Sequence, residues 1–152
     1  MNNTKITATN WYPDAHLMVT EVSGLLDLSD IEQWITGFHT AFQQLPDNAR
    51  FKIFVNLHGF KAVNLEAHKK FRDIVPLTLA DYGWRTGYLG LFEEEAQKMV
   101  FRNIRGIQCV GAAHAHQDET KITLYQTSFS SDREQFFTDP ATAEAWIRSL
   151  PL

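Results

Sequence analysis

The residues best suited to chemistry in this chain are histidines. The run His114-Ala115-His116-Gln117-Asp118 sets two imidazoles two positions apart, next to a carboxylate. If an extended strand carries them, His114 and His116 point to one face, because side chains alternate with period two. His58 follows a separate apolar run, and His68 falls one turn into the helix expected after it. Zinc demands three or four converging ligands, so these imidazoles with Asp118 form the only candidate set for a metal-dependent hydrolase. The His-x-His spacing alone carries little of that demand. The alternative is that the rings bond nearby backbone and helix ends, with Asp118 capping a helix. The expectation is a polar, partly exposed histidine edge holding His58, His114 and His116, without a closed metal shell. Such an edge takes a small anion or a partner's polar group when protonated.

Other groups offer less. Cys109 lies inside an apolar run, where a free thiol packs as a small hydrophobe rather than acting as a nucleophile. Glu93-Glu94-Glu95 reads as a solvated helix start favoured by the helix dipole. Trp34 and Trp146 recur at helical spacing and belong to a core. Trp11 and Tyr12, beside a turn, are better placed for an exposed aromatic patch or a dimer contact. No phosphate-binding glycine loop, nucleophile elbow or Cys-x-x-Cys is present in the sequence, so no cofactor is implied.

These groups must be positioned by regular elements. Lys5 to Trp11 and His16 to Val22 read as two strands around a Tyr12-Pro13-Asp14-Ala15 turn, the second broken by Gly24. Ser29-x-x-Glu32 has the capping-box pattern. Ile31, Trp34, Ile35, Phe38, Ala41, Phe42 and Leu45 then follow at spacings of three and four, predicting an amphipathic helix stopped by Pro46. Phe51 to Leu57 reads as a buried central strand. Asn64 is placed to cap a second helix that Pro76 should kink and Gly83 should end.

Residues 85 to 92 read as a strand, and 93 to 103 fit a helix or a strand equally. Ile107 to Ala115 is small and apolar, the pattern of a strand closely covered by a helix. Asp118 caps a segment with Ile122, Tyr125 and Phe129 at helical spacing, although its Ile and Thr content leaves a strand open. Residues 133 to 138 suit an edge strand, and Asp139-Pro140 opens a last helix burying Ala143, Trp146, Ile147 and Leu150. Strands alternating with helices imply an α/β fold, with a mostly parallel sheet of four or five strands and an antiparallel N-terminal hairpin.

Composition sets the outer bounds. The chain has 152 residues, 44% of them hydrophobic, with eleven Phe and four Trp, enough for one well-packed core in one domain over 1–152. No apolar run approaches the ~20 residues of a membrane span. The polar start and the single cysteine suit a cytoplasmic protein. A net charge of −4 with scattered Lys and Arg argues against nucleic acid, whose binding rests on phosphate neutralisation.

Three stretches carry a family resemblance. They are Leu17 to Gly24 leading into Leu28-Ser29-Asp30-Ile31, then Ile53 to Phe60, and finally Glu134 to Asp139 followed by Ala143-Glu144-Ala145-Trp146-Ile147. Their order resembles the STAS/SpoIIAA-like superfamily, over most of the chain. In the members that antagonise anti-sigma factors, an Asp-Ser-Ser/Thr-Gly motif carries a phosphorylated hydroxyl. The matching positions here are Asn64-Leu65-Glu66-Ala67, which offer no hydroxyl. Glu66 is then either an ordinary acidic residue in a first helical turn or a permanent mimic of the phosphorylated state.

What remains is similar to the uncharacterised bacterial SpoIIAA-like proteins. The resemblance implies a non-catalytic regulatory or protein-interaction module, with a protein partner or a second copy of the chain as its target. Asn64, Glu66 and His68 join the histidine edge as candidate binding residues. The second reading is a small-molecule or lipid-binding domain, with an apolar pocket beside the kinked second helix or at the histidine edge. The metal-dependent hydrolase ranks last.

Overall fold

Period-two alternation at the start of the chain becomes a hairpin. Strand β1 (Ile6–Tyr12) pairs antiparallel with β2 (Leu17–Leu26) around a short 3-10 turn at Pro13–Ala15. The computed structural model describes residues 4–91 and 93–152 of the chain. After β2 come helix α1 (Leu28–Gln43), strands β3 (Arg50–Asn56) and β4 (Phe60–Ala62), helices α2 (Leu65–Arg72) and α3 (Ile74–Ala80), and a 3-10 segment at Gly87–Leu91. A short helix α4 (Glu93–Lys98), strand β5 (Gln108–Ala115), helix α5 (Glu119–Phe129), strand β6 (Glu134–Phe137) and helix α6 (Pro140–Ser149) complete it.

The sheet has six strands in the order β1-β2-β3-β5-β6, with β4 attached to β2. Strands β2, β3, β5 and β6 run parallel, and β3 and β5 are direct neighbours. This is the α/β arrangement expected, a mixed, mostly parallel sheet with an antiparallel hairpin at one edge and helices over it, except that the short β4 brings it to six strands where four or five were expected. The parallel strands direct their C-terminal ends, and the loops after them, to one end of the molecule.

Two layers cover the sheet. On one face α1 packs Ile31, Trp34, Phe38, Ala41 and Phe42 onto Met18, Val22, Ile53 and Val55. Trp34 is fully buried, stacked on Phe38 with centroids 5.0 Å apart and tilted against Phe71 at 4.9 Å. Its indole N–H donates to Thr20 Oγ1 at 2.8 Å, so the one polar atom of this core ring is satisfied. On the other face α6 packs Ala143 and Ile147 onto Leu17, Phe54, Ala113 and Ala115. These small side chains let the helix lie close to β5, as its composition predicts.

Several details differ from the sequence reading. Gly24 does not end β2. Its φ of 96° turns the strand away from β3 and onto β4, a conformation open to glycine at little cost. The cap of α1 is Asp27, not Ser29: Asp27 accepts the Asp30 amide, and Asp30 accepts the Asp27 amide in return. A carboxylate pair three residues apart does the same work as Ser and Glu. The second helix is broken in two at Asp73, three residues ahead of Pro76. The proline ring cannot bond the Arg72 carbonyl and clashes with it, so the helix parts there.

Residues 85 to 92 are not a strand. Thr86 is buried, Gly87–Leu91 forms the 3-10 segment, and Phe92 lies outside the described residues. Residues 93–98 settle as helix α4. Trp146 is only partly buried, against Phe137 at 6.0 Å, rather than part of the closed core. Cys109 is buried in β5, and burial raises its thiol pKa, as suits a packing residue.

Candidate functional site

Helix α5 opens where it should, with Asp118 accepting the Lys121 amide at 3.1 Å. It then packs loosely. Of its eleven residues only Ile122 is buried, because Thr123, Leu124, Thr127 and Ser128 leave no continuous apolar stripe. Between α5, the α2–α3 pair and the C-terminal ends of the parallel strands lies a cavity of about 850 Å³.

The cavity's walls come from five directions. Val55, Leu57 and Phe60 close it from β3, the loop after it and β4, and Phe71 and Val75 from α2 and α3. Ile122 and Tyr125 face it from α5, Phe136 from β6, and Tyr88 and Leu91 from the 3-10 segment. Its mouth is charged: Lys61, Arg72 and Lys121 line it against a single carboxylate, Asp118. Helices α2 and α5 both begin there, at Leu65 and Glu119, bringing the positive ends of their dipoles. A mostly apolar cleft with a few convergent polar groups is the usual form of a small-molecule site.

At the inner wall His114 is buried, 7% exposed, and stacks flat on Phe136 with centroids 4.6 Å apart. Its Nε2 meets Glu134 Oε2 at 2.8 Å. Glu134 is itself 2% exposed, and its other oxygen accepts the Gly87 amide at 2.8 Å. One buried carboxylate therefore ties β5, β6 and the 3-10 segment together, and with them the Tyr88 wall. A side chain at position 87 has no room, since a Cβ there would sit 2.1 Å from the Phe129 carbonyl oxygen.

His116 accepts the Asp118 amide at Nδ1 from 3.0 Å. Burial, with help from the Lys121 charge, pushes its pKa down to about 4, so the ring is neutral at neutral pH. His68 is lowered by the same causes, burial first, then Lys121 and Arg72. Lys121 is itself lowered by burial, partly offset by Asp118, and lies over the Tyr125 ring at 5.6 Å.

Five of the seven candidate residues named from sequence, Asn64, His68, His114, His116 and Asp118, line this cavity. Asn64 caps α2, its Oδ1 accepting the Ala67 amide at 2.9 Å. His58 is exposed at the same end of the sheet but outside the lining, and Glu66 is exposed in the first turn of α2. His114 corrects the expected exposed edge, being buried and engaged by a carboxylate. Among the described residues no three His, Cys, Asp or Glu side chains are grouped to hold a metal ion.

Sequence reasoning missed Glu134, Tyr88, Lys61, Arg72 and Lys121. The signal for Glu134 was an acidic residue opening an otherwise aromatic edge strand, directly across the sheet from Ala112. No protein-family model matches the chain, nor does any curated protein or solved structure.

Proposed function

We propose that the protein is a non-catalytic, regulatory type of binding module whose working part is the cavity beneath α5, and that it holds one small molecule with an apolar body. The observation that carries this is the cavity itself: about 850 Å³, walled mainly by aromatic and aliphatic side chains, at the C-terminal ends of parallel strands. Ligands in open α/β sheets favour that end.

The strand order also supports a place in the STAS/SpoIIAA-like superfamily. An antiparallel first strand is followed by β2, β3, β5 and β6 laid side by side in chain order, joined by helices. A protein partner or second copy is the other reading. It is favoured by Val63, Leu65 and Leu91, which are 44%, 65% and 50% exposed on and beside the cavity rim.

Native mass spectrometry of the purified protein tests the choice. A bound small molecule at one per chain, released on denaturation, is the expected result. A protein carrying no ligand that also fails to take up an apolar fluorophore contradicts the ligand reading.

A further inference from the structure

We infer that the cavity's ligand is an organic monoanion, with its apolar body under α5 and its negative group at the mouth between Lys61 and Lys121. The inference rests on the ligand-binding reading above and goes on to name the ligand's chemistry.

Charge at the mouth is unbalanced. Lys61, Arg72 and Lys121 face one carboxylate, Asp118, which already accepts the Lys121 amide. Arg72 has Asp73 at 3.6 Å, while Lys61 and Lys121 make no ion pair with another side chain among the described residues. The surroundings register the excess. Burial is the main cause that holds His68 and His116 toward the neutral form; the Lys121 charge adds to it at both rings, with Arg72 at His68 and His58 at His116, and Asp118 opposes it at His116. Two helix N-termini add positive potential at the same place.

A ligand with a cationic head would add to this repulsion. A neutral one would leave it in place. A single negative group relieves it, and the lysines reach such a group while the apolar walls take the rest. Specificity for the anion then comes from the mouth, and the apolar body supplies most of the affinity through burial. A fatty acid and an aromatic carboxylic acid share this chemistry.

Isothermal titration calorimetry at neutral pH separates the possibilities, using dodecanoate, dodecanol, 1-naphthoate and 1-naphthalenemethanol as probes. At least one carboxylate should bind about tenfold more tightly than its uncharged counterpart, a preference within reach of charge complementarity. Which pair shows it tells the acyl from the aromatic source. The double variant Lys61→Gln/Lys121→Gln, shown by circular dichroism to melt like the parent, should lose that preference while binding the alcohols unchanged. Alcohols that bind as tightly as the acids overturn the monoanion and leave ligand binding standing. So does a double variant that keeps the full preference. Binding of none of the four overturns both readings.

Discussion

Helices α1 and α5 flank the same face of one sheet, and they treat it differently. Helix α1 buries five residues in sixteen and lays an aromatic ladder from Trp34 through Phe38 and Phe42 to Phe51. Helix α5 buries one residue in eleven and leaves about 850 Å³ open beneath it. A protein that filled both sides alike would be more stable and would have nowhere to put a ligand. Packing is closed under α1 and open under α5, where the proposed ligand site lies.

The largest test of that contrast is a matched pair of truncations. Trp34→Ala should lose about 3–5 kcal/mol of stability, as large-to-small changes in closed cores do. Ile122→Ala, facing space already open, should lose less than half as much in the same urea titration. Equal losses would mean that α5 is as tightly packed as α1.

Next in size is the latch behind the cavity. Glu134→Ala leaves the Gly87 amide and His114 Nε2 without their buried acceptor. About 1–3 kcal/mol should follow from the orphaned groups, with weaker ligand binding as the Tyr88 wall loosens. Loss of stability with binding intact would show that the 3-10 segment does not shape the site.

The contrast also marks what was legible in the sequence. Trp34, Phe38 and Phe42 recur at spacings only a buried helix face explains, so α1 and its burial could be read directly. Helix α5 announced its start through Asp118 but not its loose packing, because a weak apolar stripe is equally the mark of a doubtful strand. His114 and His116 were found by their two-residue spacing, although β5 ends at Ala115 and His116 lies just beyond it. Glu134 was not, since its pairing with His114 depends on β5 and β6 lying in parallel register, which no local pattern encodes. Residues 85 to 91 misled for a related reason. Their Tyr and Leu side chains between glycines suit an interrupted strand, but the Glu134 contact to Gly87 anchors them in a 3-10 segment.

A smaller effect should appear with pH. His116 titrates near 6.5 when unfolded and at about 4 in the fold, where burial disfavours the charged ring. Below pH 6.5 the unfolded chain binds a proton that the native protein declines, so this group's contribution to stability falls as pH drops from about 6.5 to about 4. It changes no further below that. His116→Gln should flatten this part of a melting-temperature profile, and an unchanged slope would mean that His116 is not the neutral, half-buried ring described.

The most direct test of the account is a fluorescence titration with 1-anilinonaphthalene-8-sulfonate, comparing the parent with Ile122→Trp, which fills the cavity from α5. The parent should saturate at one equivalent, and the variant, melting at the same temperature, should bind about tenfold more weakly or not at all. Identical titrations for the two proteins, or a signal that never saturates, would contradict a ligand site beneath α5.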